Sequence, residues 1–89
     1  MKLVIKLTPF VLQQTVYTLN DKNEIINSEN FLMEDINKII LGKENISEVV
    51  FCGNKHYLSK FVQAAKEAEM KKYGNNTIKF TIQGVEKNV

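Results

Sequence analysis

Val49-Val50-Phe51-Cys52 is an unbroken apolar run of strand formers, and Gly53-Asn54 closes it with turn chemistry. From about Lys55 to Tyr73 the pattern is helical. Leu58, Phe61, Val62, Ala65 and Ala68 or Glu69 trace one stripe, with Ala64 and Ala65 small enough for close approach to a sheet. A run that is continuous rather than alternating predicts a strand covered on both faces. This strand, turn and long amphipathic helix, Ile46 to Tyr73, need further strands to receive them.

The remaining segments supply such strands. Lys2 to Thr8 alternates, with Leu3, Ile5 and Leu7 on one side, and Pro9 stops it because it has no N–H for a ladder. Phe10 to Leu19 is rich in β-branched and aromatic residues. Adjacent Gln13 and Gln14 must point to opposite faces there, which predicts one ill-placed amide or a bulge. Asn20-Asp21-Lys22-Asn23 is a turn by composition, and Glu24 to Asn27 gives a short third strand through Ile25 and Ile26. A helix of about three turns follows, capped by Ser28 or Asn30. Glu29, Glu34 and Asp35 lie near its positive end, its stripe is Leu32, Ile36, Ile39 and Ile40, and Gly42 is its stop. Thr77 to Gln83 alternates again, with Ile78, Phe80 and Ile82 inward and Thr77, Lys79 and Thr81 outward.

The order is β-β-β-α-β-α-β over residues 1–84, with 85–89 as a frayed polar tail. Two helices need more sheet than the last two strands offer. The economical α+β solution is therefore a five-stranded mixed sheet in one domain. Its strand–helix–strand from Ile46 to Gln83 should be a right-handed parallel crossover. This element order resembles the ribonuclease H-like and actin-like superfold, over Lys2 to Gln83. The alternative is a ferredoxin-like α+β sandwich, if one early strand is loop. The nucleases of that superfold hold two metals on carboxylates from the first strand, the first helix and the end of the fourth strand. The matching places here are Val4, Ile5 and Lys6, then Glu34 and Asp35, then Cys52, Gly53 and Asn54, so acids stand only on the helix. The actin-like ATPases carry an acid and a Gly-rich turn in the first hairpin, where this chain has Thr8-Pro9-Phe10. The chemistry that the resemblance implies lacks its residues, and fold alone does not confer function.

Charge is uneven although the net is only +2. Residues 20–48 carry seven acids against three lysines, and residues 55–79 carry six lysines against two acids. Such polarity steers a charged partner or pairs one copy with another, unless it is only solvated surface. All twelve basic residues are lysine, so no bidentate guanidinium fork is available for phosphate or guanine. With abundant Asn, Ile and Lys, the composition suggests a low-GC bacterium or its phage. A single Cys excludes an intrachain disulfide. No apolar run is long enough for a signal peptide or membrane span, and cytoplasm is the expected compartment.

The one candidate site in the sequence is the turn Cys52-Gly53-Asn54-Lys55-His56-Tyr57. Ligands in open α/β sheets bind beyond the carboxyl ends of strands, and free N–H groups opening a helix hold anions. Gly53, Asn54 and Lys55 are thus an anion-binding conjecture, and Cys52 with His56 as base a nucleophile conjecture. The competing reading is a capped junction: a buried Cys, a turn Gly and an Asn cap. One Cys and one His are too few for a metal site, and Gly42, Gly53, Gly74 and Gly84 form no phosphate-binding fingerprint. No cofactor is expected. Lys55, Lys60, Lys66, Lys71, Lys72 and Lys79 form a basic set that would contact nucleic acid or an acidic partner, with Tyr57 and Tyr73 as its aromatics. The function expected is a non-catalytic protein-interaction or assembly module. It would form a homodimer through the edge strand Thr77 to Gln83 or bind a protein partner. Weak nucleic-acid binding by the second helix is the alternative, and thiol enzymology the third reading.

Overall fold

The structure, a computed structural model, describes residues 1–8, 12–43 and 45–84. Pro9, Phe10, Val11, Glu44 and the tail 85–89 lie outside the described residues, and with them the strand stop, the start of the second strand, one acid and the frayed end. The elements are β1 (Lys2–Lys6), β2 (Gln13–Leu19), β3 (Ile25–Leu32), a short 3₁₀ turn (Met33–Asp35), α1 (Ile36–Leu41), β4 (Glu48–Gly53), α2 (Lys55–Tyr73) and β5 (Lys79–Gly84). They build one five-stranded mixed sheet in the order β3-β2-β1-β4-β5. β1, β2 and β3 are antiparallel neighbours, and β4 lies parallel to both β1 and β5. All three early strands form, so the condition for a ferredoxin-like sandwich is not met.

One apolar cluster holds the layers together. Register puts Leu3 beside Val49, and Ile5 between Val16 and Phe51. Ile36 and Ile40 of α1 and Leu58 and Ala65 of α2 pack against this same face. Burying a side chain such as Phe51 or Leu58 contributes roughly 1.5–3 kcal/mol. Phe51 also stacks on Phe80 of β5, with ring centroids 6.3 Å apart. Both helices therefore cover one face, which corrects the expectation that β4 is covered on both. Val50 points to the other face and is still buried, because Val4 and Thr81 flank it on the adjacent strands. Ala64 is exposed and takes no part in close approach.

The outer strand departs most from expectation. β3 runs eight residues to Leu32, through Ser28 and Asn30, which the sequence assigns to a helix cap. Only Phe31 along it is buried, and Ile25 and Ile26 are exposed rather than core. An edge strand with little burial tolerates polar residues, so its apolar periodicity vanishes. Pairing with β2 supplies its order, supported by the Thr15 hydroxyl 3.0 Å from the Asn30 amide oxygen. The helix after it shrinks to six residues, and Leu32, outside it, is exposed.

Of the two glutamines, Gln14 faces inward and Gln13 outward. The Thr8 N–H donates to Gln14 Oε1 at 2.7 Å, and Gln14 Nε2 donates to the Thr8 carbonyl at 3.0 Å. The buried amide is thereby paired, as buried polar groups must be. The sheet irregularity lies instead at Thr18/Leu19. In the turn, Asn20 Oδ1 accepts from the Lys22 and Glu24 N–H groups, and Asn23 adopts a φ of 62°. β5 starts at Lys79, not Thr77. Thr81 is half-buried, and its hydroxyl is satisfied by donating to Glu48 at 2.9 Å.

Candidate functional site

The turn after β4 is built tightly. Gly53 has a φ of 147°, and a Cβ there would lie 2.7 Å from the Leu7 carbonyl oxygen. That close approach follows from the Leu7 N–H donating to the Cys52 carbonyl, which extends the β1–β4 pairing. Asn54 is the α2 cap, its Oδ1 accepting from the His56 and Tyr57 N–H groups at 3.0 and 3.2 Å. Two amides that an anion would use are thus occupied by the cap, and an anion at Gly53, Asn54 and Lys55 would compete with it. The Cys52 thiol donates to Gln83 Oε1 at 3.5 Å. Burial pushes this thiol up, and the Lys6 ammonium offsets part of that rise. A raised thiol is protonated at neutral pH, which disfavours attack.

The six lysines of the basic set are all exposed. They are not equivalent. Lys60 lies over the Tyr57 ring at 5.0 Å and the Phe61 ring at 5.6 Å. Lys72 lies over the Tyr73 ring at 5.3 Å and donates to the Leu41 carbonyl at 3.2 Å. The two tyrosines available for base stacking are therefore already engaged by the chain's own cations.

The sheet ends in two edges. Of the expected edge strand Thr77 to Gln83, the first two residues are tied to α2, since Glu69 Oε2 accepts from the Thr77 and Ile78 N–H groups. The other edge, β3, has β2 as its sole ladder neighbour among the described residues. Its one charged residue is Glu29, paired with Lys43 at 2.8 Å.

Sequence reasoning missed one further place, the cleft between the C-terminal ends of α1 and α2. Its volume is about 720 Å³, and Ile40, Ile46, Glu69, Tyr73 and Ile78 are among its walls. Glu69 is 1% exposed, a nearly complete burial for a carboxylate. The signal was present: an acid four residues after Ala65 on the buried stripe has to find internal partners. No family model, curated protein or solved structure matches this chain.

Proposed function

We propose that the protein is a non-catalytic assembly module whose outer strand β3 pairs edge to edge with a second copy of the chain. The observation that carries this is the composition of that edge. Eight residues, Ile25–Leu32, include no Lys and no Pro, the usual guards of an exposed strand. Ile25 and Ile26 are 63% and 54% exposed on it. The irregularity at Thr18/Leu19 disturbs only its first residues, and Asn27 to Leu32 remain in regular register. A two-fold axis through β3 would make the pairing antiparallel and self-complementary, extending the sheet across both copies. The β5 edge is the second candidate. It is six residues long and opens with Lys79, which favours it less.

A meander continued by two parallel strands, with helices on one face, supports a ribonuclease H-like reading of the fold. The acids that this resemblance implies are reduced here to Glu34 and Asp35. Among the described residues no three His, Cys, Asp or Glu side chains gather as a metal site.

Hydrogen exchange tests the reading. The β3 amides that face away from β2 should exchange more slowly as protein concentration rises, because pairing protects them. Exchange independent of concentration along all of β3 would remove the proposal.

A further inference from the structure

We propose that the sheet face opposite the helices binds single-stranded nucleic acid, with Tyr17 as a stacking platform for a base and Lys6, Asn30 and Gln83 as donors to phosphate and base oxygens. Both helices pack on the other face, so among the described residues no element covers this one. Register draws one row across all five strands: Asn30, Thr15, Lys6, Cys52 and Gln83. At about 4.8 Å per strand the row spans about 19 Å. It contains no acid, and its two amide oxygens are engaged within it. The Thr15 hydroxyl donates to Asn30 Oδ1 at 3.0 Å, and the Cys52 thiol donates to Gln83 Oε1 at 3.5 Å. The Lys6 ammonium and the amide NH₂ groups of Asn30 and Gln83 have no hydrogen-bond or ion-pair partner among the described residues, and all three residues are exposed. A surface that offers donors and engages its own acceptors selects an acceptor-rich ligand.

Tyr17 lies one row away, opposite Val4 of β1, and is half-buried. The Lys6 ammonium stands over its ring, 5.5 Å from the centroid. A cation over a ring at an exposed site is held weakly, so the ammonium can pass to a phosphate and leave the ring face to a base. Tyr57 and Tyr73 lack this freedom. Phe61 meets the Tyr57 ring edge-on at 5.1 Å, and the Leu41 carbonyl holds both the Tyr73 hydroxyl and Lys72. Charge agrees with a polyanion. The strands place Lys2, Lys6 and Lys79 on this face against one acid, Glu48. Glu48 is itself answered by Lys2 at 3.8 Å and by the Thr81 hydroxyl at 2.9 Å. The resulting positive face attracts phosphates. An acidic peptide would meet the same lysines, but the ring favours bases, whose π-faces stack on it whatever the sequence.

The test is an NMR titration of backbone amides with an oligothymidylate of about ten nucleotides at about 50 mM salt. Saturable shifts should appear at Lys6, Thr15, Tyr17 and Gln83. Polyglutamate and a DNA duplex of the same length should bind more weakly. Tyr17→Thr keeps a strand former and should weaken binding about tenfold, as the loss of one stacked base. Lys6→Glu reverses a charge at an exposed position and should abolish saturation, so it decides the matter if Tyr17→Thr does not fold. Lys66→Glu makes the same charge change at an exposed position of α2 and should cost less affinity than Lys6→Glu. No saturable shift with oligothymidylate, an equal response to polyglutamate or duplex, unchanged binding in folded Tyr17→Thr or in Lys6→Glu, or as large a loss in Lys66→Glu would each overturn the proposal. Pairing at β3 uses backbone groups in the plane of the sheet, so failure of either proposal leaves the other standing.

Discussion

Lys43, just beyond α1, holds its ammonium 2.8 Å from the Glu29 carboxylate in the middle of β3. Glu29 is opposite Val16, so it projects from the same sheet face that the helices cover. The pair neutralises the one charge on the outer strand and ties that strand to the helix layer.

Lys43→Ala should therefore separate stability from assembly. The pair is half-buried but still open to solvent, and such an ion pair contributes only about 0–1 kcal/mol to folding, so the urea midpoint should move little. Self-association should weaken several-fold at low salt, because antiparallel pairing of two β3 strands brings their Glu29 carboxylates toward each other. Glu29→Gln on the Lys43→Ala background should restore it. Sedimentation equilibrium of the three forms checks this.

Gln14→Leu keeps the volume and removes the amide. It leaves the Thr8 N–H and carbonyl without the Gln14 bonds. The expected loss is about 1–3 kcal/mol, the cost of stranding part-buried backbone groups, read from urea denaturation.

Two glycines with positive φ should respond differently to alanine. At Gly53 a Cβ meets the Leu7 carbonyl oxygen at 2.7 Å, so strain adds to the backbone cost and the loss should exceed about 2 kcal/mol. Gly74, at φ 75° after α2, has nothing within 4 Å of such a Cβ. Gly74→Ala should cost only about 1 kcal/mol. Thermal or urea unfolding of both variants distinguishes them.

Cys52 gives a pH signature. Its thiol is raised above the ordinary 9.0 in the folded chain, chiefly by burial. As pH rises, the unfolded chain loses this proton first, so ionisation favours unfolding. The contribution is intact below 9.0 and is lost as pH climbs through the higher folded value. Wild type should lose stability relative to Cys52→Ser between about pH 8 and pH 11, by urea midpoints in parallel. A thiol reagent at neutral pH should react more slowly with the native protein than with the unfolded chain.

What the sequence made legible was whatever strong local chemistry carried. α2 spans Lys55–Tyr73 as its stripe and flanks predict, because Asn54 caps one end and Gly74, left-handed, closes the other. The alternation of Leu3 and Ile5 gave β1, and the order of elements gave a five-stranded mixed sheet. β3 was obscured because its order comes from pairing rather than burial. Ser28 and Asn30 have the same identity in a helix cap and in an exposed edge, and only the partner strand decides. Glu69 was hidden for a related reason. Its place on the buried stripe announces an acid that needs internal partners, but those partners, Thr77 and Ile78, lie across a turn and no local pattern names them.

The most direct test is the solution mass of the wild-type chain and of Ile26→Lys, compared at concentrations up to about 1 mM. Lysine on an edge strand opposes pairing and leaves the fold, in which Ile26 is exposed, intact. Wild type should approach twice the 10.2 kDa chain mass, and Ile26→Lys should stay at the single-chain value. A wild-type chain that remains at 10.2 kDa throughout, or a variant that associates equally well, would contradict assembly through β3.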